Sequence, residues 1–210
     1  VRRRHGTSFF SIRDDTFTAR KSRVKELSDE LLRRRIYVLW NCQSRVNLVD
    51  EDRLTWMKRA GCWIAAFGVE SGDQATLDRL EKNARVEDAY RAVTLCREAG
   101  IKSSVYLLLG LPWDTRASIE AYIAFARDLD PDIVEFFYPY PFPGTALQRE
   151  CVELGLLAPG EIPPDSYAEP AFPTETLTKA ELAAYRALAL RRFYVRPRTI
   201  VRTLLGARSP

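Results

Sequence analysis

The sequence predicts an α/β fold: an open, curved parallel sheet forming a partial (β/α) barrel, with helices on its outer face and a helical C-terminal extension. Three observations predict it. Five short runs are apolar almost throughout, the mark of strands covered on both faces of a parallel sheet. Each run passes through a polar loop into a segment of helical spacing, the repeat from which such sheets are built. Five units are too few to close an eight-stranded barrel, so the sheet stays open, and right-handed crossovers put the helices outside. The 210 residues are ample for one domain with a sizeable core.

The elements follow in order. Thr7 to Ile12 is the first predicted strand and ends at Arg13-Asp14-Asp15. The stretch from about Thr18 to Arg35 has helical spacing, with Val24, Leu27, Leu31 and Leu32 on one stripe. Ile36 to Trp40 is the second strand. Asp50 caps a helix that runs to Ala60 and stops at Gly61. Trp63 to Val69 is the third strand, ending in Glu70-Ser71-Gly72, and two helical pieces follow up to Ala99, with Gly100 ending the second. Ile101 to Leu109 is the fourth strand and delivers Gly110-Leu111-Pro112; Thr115 to Leu129 is helical. Asp132 to Tyr138 is the fifth strand, running through the turn Pro139 to Thr145 into a helix that reaches about Leu154. Ala158 to Pro173, rich in Pro, Gly and acidic residues, is a loop. Thr178-Lys179-Ala180-Glu181 is a capping box that starts a helix through about Tyr194, ended by Pro197, and a short basic helix closes the chain. The expected organisation is a partial barrel over 1–157, a loop over 158–177 and a basic helical extension over 178–210.

Composition narrows the function classes. With 46% hydrophobic and 29% charged residues the chain is an ordinary globular sequence, and no apolar run approaches the roughly eighteen residues of a membrane span. The net charge of +4 is modest. No acidic residue follows Glu181, while Arg191, Arg192, Arg196, Arg198, Arg202 and Arg208 do, so the tail either meets a phosphate-bearing or acidic partner or, more commonly for such runs, is a solvated helix face. No nucleic-acid motif accompanies it. Cys42, Cys62, Cys96 and Cys151 are scattered, with no C-x-x-C pair; a chain with this much core needs no disulfide staples, and a reducing cytoplasm is expected. A single histidine, His5, excludes a multi-histidine metal site within the chain and removes the commonest general base near neutral pH. Val1 to His5 reads as the tail of a basic helix capped by Gly6, which predicts a missing upstream part; an arbitrary boundary is the plainer alternative.

Ligands of parallel α/β sheets bind at the carboxyl ends of the strands. That rule selects Asp14 and Asp15 after the first strand; Asn41, Gln43, Ser44 and Arg45 after the second; and Glu70 and Ser71 after the third. It selects Gly110 to Pro112 after the fourth and the Pro-Phe-Pro-Gly-Thr turn, with Phe142, Gly144 and Thr145, after the fifth. Carboxylates can take an ammonium and ribose hydroxyls, and an arginine can take a carboxylate in bidentate fashion. Bland readings stand beside these. Asp14 or Asp15 caps a helix, Arg45 makes a surface ion pair, Gly110 and Pro112 only shape a turn, and Cys42 is a buried apolar residue.

At these residues the sequence resembles the radical S-adenosylmethionine (SAM) enzymes. Phe10 to Thr18 (Phe-Ser-Ile-Arg-Asp-Asp-Thr-Phe-Thr) is similar to the segment after that family's second strand, and Trp40 to Asn47 to the segment after its third. Met57 to Cys62, leading to Phe67-Gly68-Val69-Glu70-Ser71-Gly72, is similar to the fourth-strand motif; Leu109-Gly110-Leu111-Pro112 is similar to the fifth and Pro141-Phe142-Pro143-Gly144-Thr145 to the sixth. The tail from Thr178 to Pro197 resembles the C-terminal extension of the subgroup that often carries an N-terminal cobalamin-binding domain. Each motif alone is weak; the ordered set covers nearly the whole chain.

The resemblance implies a six-stranded partial barrel of which about five βα units are present. It implies a [4Fe–4S] cluster held by a C-x-x-x-C-x-x-C loop that would precede this sequence, so its ligands are absent here, and it leaves cobalamin, on a missing N-terminal domain, as a further cofactor. It implies reductive cleavage of SAM to a 5′-deoxyadenosyl radical that acts on a small-molecule substrate in methyl transfer or rearrangement, with an external electron donor for the cluster. By position, Asp14 and Asp15 would lie near the SAM amino group, Arg45 near its carboxylate, and Glu70 and Ser71 near the ribose. Gly110, Pro112, Phe142, Gly144 and Thr145 would flank the adenine or the substrate. A non-catalytic binding or scaffold module derived from such a barrel is the alternative from another class. An unrelated barrel enzyme acting on phosphorylated substrates would need a late Gly-rich phosphate loop, and there is none.

Overall fold

A computed structural model describes residues 6–164 and 169–206, with side chains to position 201. The basic helix tail read at Val1 to His5, part of the 158–173 loop, and the side chains of Arg202 and Arg208 lie outside the described residues. Five strands form one parallel sheet in the order β1 (Phe9–Ile12), β2 (Leu39–Ser44), β3 (Cys62–Glu70), β4 (Lys102–Leu108), β5 (Ile133–Phe137). The helices are α1 (Lys21–Arg33), α2 (Glu51–Arg59), α3 (Gln74–Arg79), α4 (Val86–Ala99), α5 (Arg116–Leu129), α6 (Ala146–Glu153), α7 (Lys179–Tyr194) and α8 (Pro197–Gly206). The predicted α/β class, strand count and strand–helix alternation are those observed. The chain divides into two compact units, Val1–Tyr106 with Leu129–Ile133, and Leu107–Asp128 with Val134–Pro210.

In the first unit β1 pairs with β2 from Phe9↔Leu39 to Ile12↔Cys42, and β2 pairs with β3 from Trp40↔Cys62 to Ser44↔Phe67. A shift between Trp40 and Asn41 skips Trp63, and such a bulge increases the local twist. The second strand is not where the apolar run Ile36 to Trp40 put it. Arg35 takes a left-handed φ of 53°, and the N–H groups of Arg35 and Ile36 return to the carbonyls of Leu32 and Leu31. That is a Schellman cap on α1, and it uses Ile36 before pairing begins. The strand instead runs on into polar residues, because Trp40, Cys42 and Ser44 are buried on one face while Asn41 and Gln43 alternate onto the other. Pro197 is also placed differently: it opens α8, where its missing N–H has no partner to lose.

Buried side chains of the first unit include Trp40, Leu54, Met57 and Phe67. Phe17, 1% exposed, meets the Trp40 ring edge-on at 5.4 Å and fixes the chain just after β1. At the sheet's β1 edge, Phe9 and Leu39 are exposed, and Phe10, Ile12, Leu27 and Leu31 line an apolar cavity of about 880 Å³. In the second unit the Thr178 capping box is present, with Glu181 returning to the Thr178 N–H at 2.9 Å. Part of the basic tail is engaged within that unit. Arg192 pairs with Glu120, and Arg196 lies 4.3 Å from the Phe193 ring centroid and donates to the Arg127 carbonyl at 2.9 Å. No helix among the described residues is long and apolar enough to cross a membrane.

Asp50 shows how a local sequence choice holds this scaffold. Its carboxylate accepts from the Arg53 N–H at 2.8 Å, capping α2, and pairs with Lys21 at 3.2 Å, tying α1 to the cap. Burial pushes the carboxyl up, but the Arg53 N–H and Lys21 together hold it below its ordinary 3.8. A depressed folded-state value means stability that is present above the ordinary value and lost as the pH falls through it and below. Asp50→Ala is expected to cost about 1 kcal/mol at neutral pH, read by urea melts, and the gap to the parent chain should close as the pH drops below that of an ordinary aspartate.

Candidate functional site

In the first unit the carboxyl ends of β1, β2 and β3 surround a polar cavity of about 360 Å³. Its floor comes from strand alternation. Ala65, Phe67 and Val69 of β3 are buried on one face, so Ala66, Gly68 and Glu70 present the other, and Gln43 lies beside Ala66 in register. Two small residues in succession leave the space, and Glu70 closes the strand. Asp15, Thr16, Gln43, Ser44, Arg45, Glu70, Glu81, Lys82 and Tyr106 complete the wall.

Each loop that brings these groups is fastened by buried contacts. Thr18, in the 3₁₀ turn Phe17–Ala19, exchanges a hydroxyl hydrogen bond with Ser44, both buried. Arg53 Nε donates to the Thr18 carbonyl at 3.2 Å. Arg45 donates from Nη2 to the Lys82 carbonyl, and Asn47 Nδ2 to the Asn83 carbonyl at 2.9 Å. The loop after β2 is thereby clasped to the loop after α3. Arg45 Nε is buried and has no hydrogen-bond partner among the described residues, a costly state for a charged donor unless an anion joins it.

Glu70 has a left-handed φ of 69°, which turns its side chain back over β3. A Cβ on Gly68 would stand 2.6 Å from Glu70 Oε1 and 3.2 Å from Lys82 Nζ, so a larger residue there would push the ends of these two side chains aside. Lys82 Nζ donates to Glu70 Oε1 at 2.6 Å. A carboxylate, a second acid at Asp15, a partly unsatisfied guanidinium and an ammonium in one cavity suit a zwitterionic ligand with hydroxyl groups.

The strand-end rule therefore brings Asp15, Arg45 and Glu70 together, with Gln43 and Ser44. It does not bring Asp14 there: that carboxylate pairs with Arg23 of α1 at 2.6 Å. Ser71 is buried, and its hydroxyl accepts from the Asp73 N–H at 3.0 Å instead of lining the cavity. Lys82 was not among the residues the rule selected, because it follows a helix and not a strand.

The remaining expected residues lie in the second unit. Gly110, at φ 95°, and Leu111 both donate their N–H to Asp114 Oδ2 at 2.9 Å. A Cβ at Gly110 would press on Leu182 Cδ1 at 3.2 Å. The Pro112 carbonyl accepts from Glu175 N–H at 3.0 Å. Phe142 is exposed and stacks edge-on with Tyr140 at 4.7 Å. Gly144, at φ 82°, donates to Gln148 Oε1 at 2.8 Å. Thr145 caps α6, its hydroxyl donating to the Phe142 carbonyl at 2.7 Å and accepting from the Gln148 N–H at 3.3 Å. Asp114, which sequence reasoning passed over, is the brace of the first of these turns. It is fully buried, and Oδ1 accepts from Tyr122 at 2.7 Å and Ser118 at 3.1 Å. An acid two residues beyond a Gly-Leu-Pro turn is the signal that could have marked it.

All four cysteines are buried and free. Burial pushes the Cys96 thiol up to about 12 and the Cys151 thiol up to about 11, and a hydrogen bond with Cys42, followed by burial, raises Cys62. Thiols held protonated are poor metal ligands. Among the described residues no group of three or more His, Cys, Asp or Glu side chains is placed to hold a metal ion.

Residues 2–126 match the sequence model of the family described as the radical SAM superfamily. The chain is 28% identical to an uncharacterized methyltransferase of Pyrococcus horikoshii over 95% of its own length and 44% of that protein. It is 30% identical to the anaerobic magnesium-protoporphyrin IX monomethyl ester cyclase of Rubrivivax gelatinosus over 70% of its length and 27% of the cyclase. It thus spans less than half of either relative. Among solved structures, its fold resembles the radical SAM methyltransferase TsrM of Kitasatospora setae, determined with cobalamin and a [4Fe–4S] cluster bound. The TM-score is 0.64 at 22% identity, over 91% of this chain and 39% of that one. Coproporphyrinogen III oxidase (HemN) of Escherichia coli, a radical SAM enzyme, gives a TM-score of 0.65 at 17% identity, over 89% and 40% of the two chains.

Burial also pushes the Asp114 carboxyl up, against the downward pull of Tyr122, Leu111 N–H, Gly110 N–H and Ser118. A raised folded-state value makes the native chain hold its proton more tightly, so stability falls as the pH rises from the ordinary 3.8 through the raised value. Asp114→Asn should flatten that slope and retain most of the stability. Asp114→Leu, which strands the buried Gly110 and Leu111 donors, is expected to lose about 1–3 kcal/mol. Urea melts across pH 3 to 8 would separate the two.

Proposed function

This chain belongs to the radical SAM superfamily, and from that premise we propose that it forms the SAM-binding, substrate-facing part of an enzyme that modifies a small molecule, methyl transfer being the favoured reaction. The observation that carries the reading is the cavity in which Asp15, Arg45 and Glu70 meet over the small floor of Ala66 and Gly68. Glu70 accepts hydrogen bonds from the ribose hydroxyls, Arg45 takes the amino-acid carboxylate, and Asp15 holds the ammonium. Asp14, occupied by Arg23, and Ser71, occupied by the Asp73 turn, support these groups at one remove. In the second unit, the Gly110 to Pro112 and Phe142 to Thr145 turns are proposed as ligand-facing turns after β4 and β5.

When bound beside a reduced [4Fe–4S] cluster, SAM supplies a 5′-deoxyadenosyl radical, and cobalamin supplies a methyl carrier. The residues of this chain fit SAM and do not fit the cluster, since its four thiols are buried, form no metal-holding group among the described residues and, where shifted, are held protonated. Cluster ligands are therefore assigned to residues outside this sequence. The methyltransferase name of the Pyrococcus relative favours methyl transfer; the Rubrivivax relative, a cyclase, keeps ring formation as the second reading. Four free thiols favour a reducing compartment, and the cytoplasm is the proposed location. The methyltransferase and cyclase names of the relatives favour an enzyme over a non-catalytic binding or scaffold module.

Titration of S-adenosylhomocysteine into the chain should show saturable binding by calorimetry. Glu70→Gln and Arg45→Ala should each weaken it about 10- to 100-fold, the worth of a hydrogen bond to a charged group. Absence of binding by the parent chain would overturn the reading. Anaerobic reconstitution of the 210-residue chain with iron and sulfide should give no stoichiometric [4Fe–4S] absorbance; a cluster signal abolished by Cys42→Ala or Cys62→Ala would contradict the assignment of the ligands elsewhere.

A further inference from the structure

Lys82 is held in place by its backbone before its side chain does anything. It follows α3, whose end is a Schellman cap: Glu81 takes φ 50°, its N–H returns to the Asp78 carbonyl at 3.0 Å, and the Lys82 N–H returns to the Leu77 carbonyl at 3.0 Å. The Lys82 carbonyl then accepts from Arg45 Nη2, and its ammonium donates to Glu70 Oε1 at 2.6 Å. One residue thus holds two of the three groups to which the proposed ligand contacts are assigned, the arginine through its main chain and the Glu70 carboxylate through its side chain.

Stability alone does not account for this arrangement. Half-exposed ion pairs contribute about 0–1 kcal/mol, and this one is more enclosed, with the two side chains 23% and 21% exposed. It is made by a non-glycine residue with left-handed φ at Glu70, which costs about 1 kcal/mol or more. It also lies against a glycine at 68, where a Cβ would push Glu70 Oε1 aside and crowd Lys82 Nζ. The strain is spent on fixing where the Glu70 carboxylate stands.

We propose that Lys82 is a positioning residue for the ligand's diol: its ammonium fixes one Glu70 oxygen over Gly68 and so presents the other as the acceptor that selects a ribose. The proposal rests on the reading that this cavity takes SAM. A site built to receive a hydroxyl rejects the analogue that lacks it, and loses that discrimination when its acceptor is no longer held.

The test compares S-adenosylhomocysteine with its 2′-deoxyribose analogue by calorimetry. The parent chain should prefer the ribose form by about tenfold or more. Lys82→Met keeps the carbonyl that Arg45 uses and should lower that preference to near unity, while Lys82→Arg should restore most of it. The exchange Glu70→Lys with Lys82→Glu should recover the parent's melting temperature without recovering the preference, because the pair is rebuilt with the acceptor on the wrong element. If Lys82→Met does not fold, Lys82→Gln replaces it. Equal loss of affinity for both ligands, with the preference intact, would overturn the positioning role and leave the SAM reading standing. No binding of either ligand by the parent chain would overturn both.

Discussion

The third strand has to satisfy opposite demands on its two faces, and the site depends on how it does so. A strand inside a parallel sheet is covered on both sides, and filling both faces with large side chains is the ordinary result. Here one face follows it, with Ala65, Phe67 and Val69 buried, and the other is kept small at Ala66 and Gly68 before ending in Glu70. The register sets Gln43 of the neighbouring strand beside Ala66. A bulky residue at 66 or any side chain at 68 would fill the floor or displace Glu70. The cavity is therefore a consequence of side-chain volume within one strand, and not only of how the loops are shaped.

Loops at strand ends are ordinarily the mobile part of such sheets. In the first unit they are fastened to one another by groups that are themselves buried or clasped. Phe17 packs on Trp40, and Thr18 bonds to Ser44, so the Asp15 loop is tied to β2. Arg45 and Asn47 reach the carbonyls of Lys82 and Asn83, tying β2 to the end of α3. The charged groups stand at fixed spacing before any ligand arrives, and preorganisation of this kind lowers the cost of binding. Asp114 does the equivalent work in the second unit by gathering the Gly110 and Leu111 N–H groups onto one oxygen.

Much of this was legible in the sequence, and the failures have physical causes. Alternation of apolar runs with helical periods gave the class, the helix ends at Gly61 and Gly100, and the caps at Asp50 and Thr178. The strand-end rule found Asp15, Arg45 and Glu70 because parallel sheets deliver side chains at that rim. Ile36 misled because an apolar residue just past a helix also serves a Schellman cap, and the polar continuation Asn41 to Ser44 did not look like a strand until its alternation was seen in register. Lys82 was hidden for a different reason. It follows a helix, twelve residues beyond Glu70, and nothing local to its position declares that its ammonium folds back onto a strand end. Contacts between elements of that kind are fixed by packing, which periodicity does not report.

The distribution of backbone strain ties these threads together. Among the described residues, five non-glycine positions have positive φ, and three of them, Glu70, Glu81 and Asn83, stand at the end of β3 and in the loop after α3. Asparagine adopts this region readily, whereas glutamate does so at a cost. Glu81 reverses the chain in the cap of α3, as Arg35 does in the cap of α1, and that accounts for its φ. Glu70 ends a strand instead, and there the strained conformation serves the side chain. At Glu70 its use is visible in the bond to Lys82, and strained residues held by surrounding contacts are the usual signature of a site where geometry has been set for a ligand.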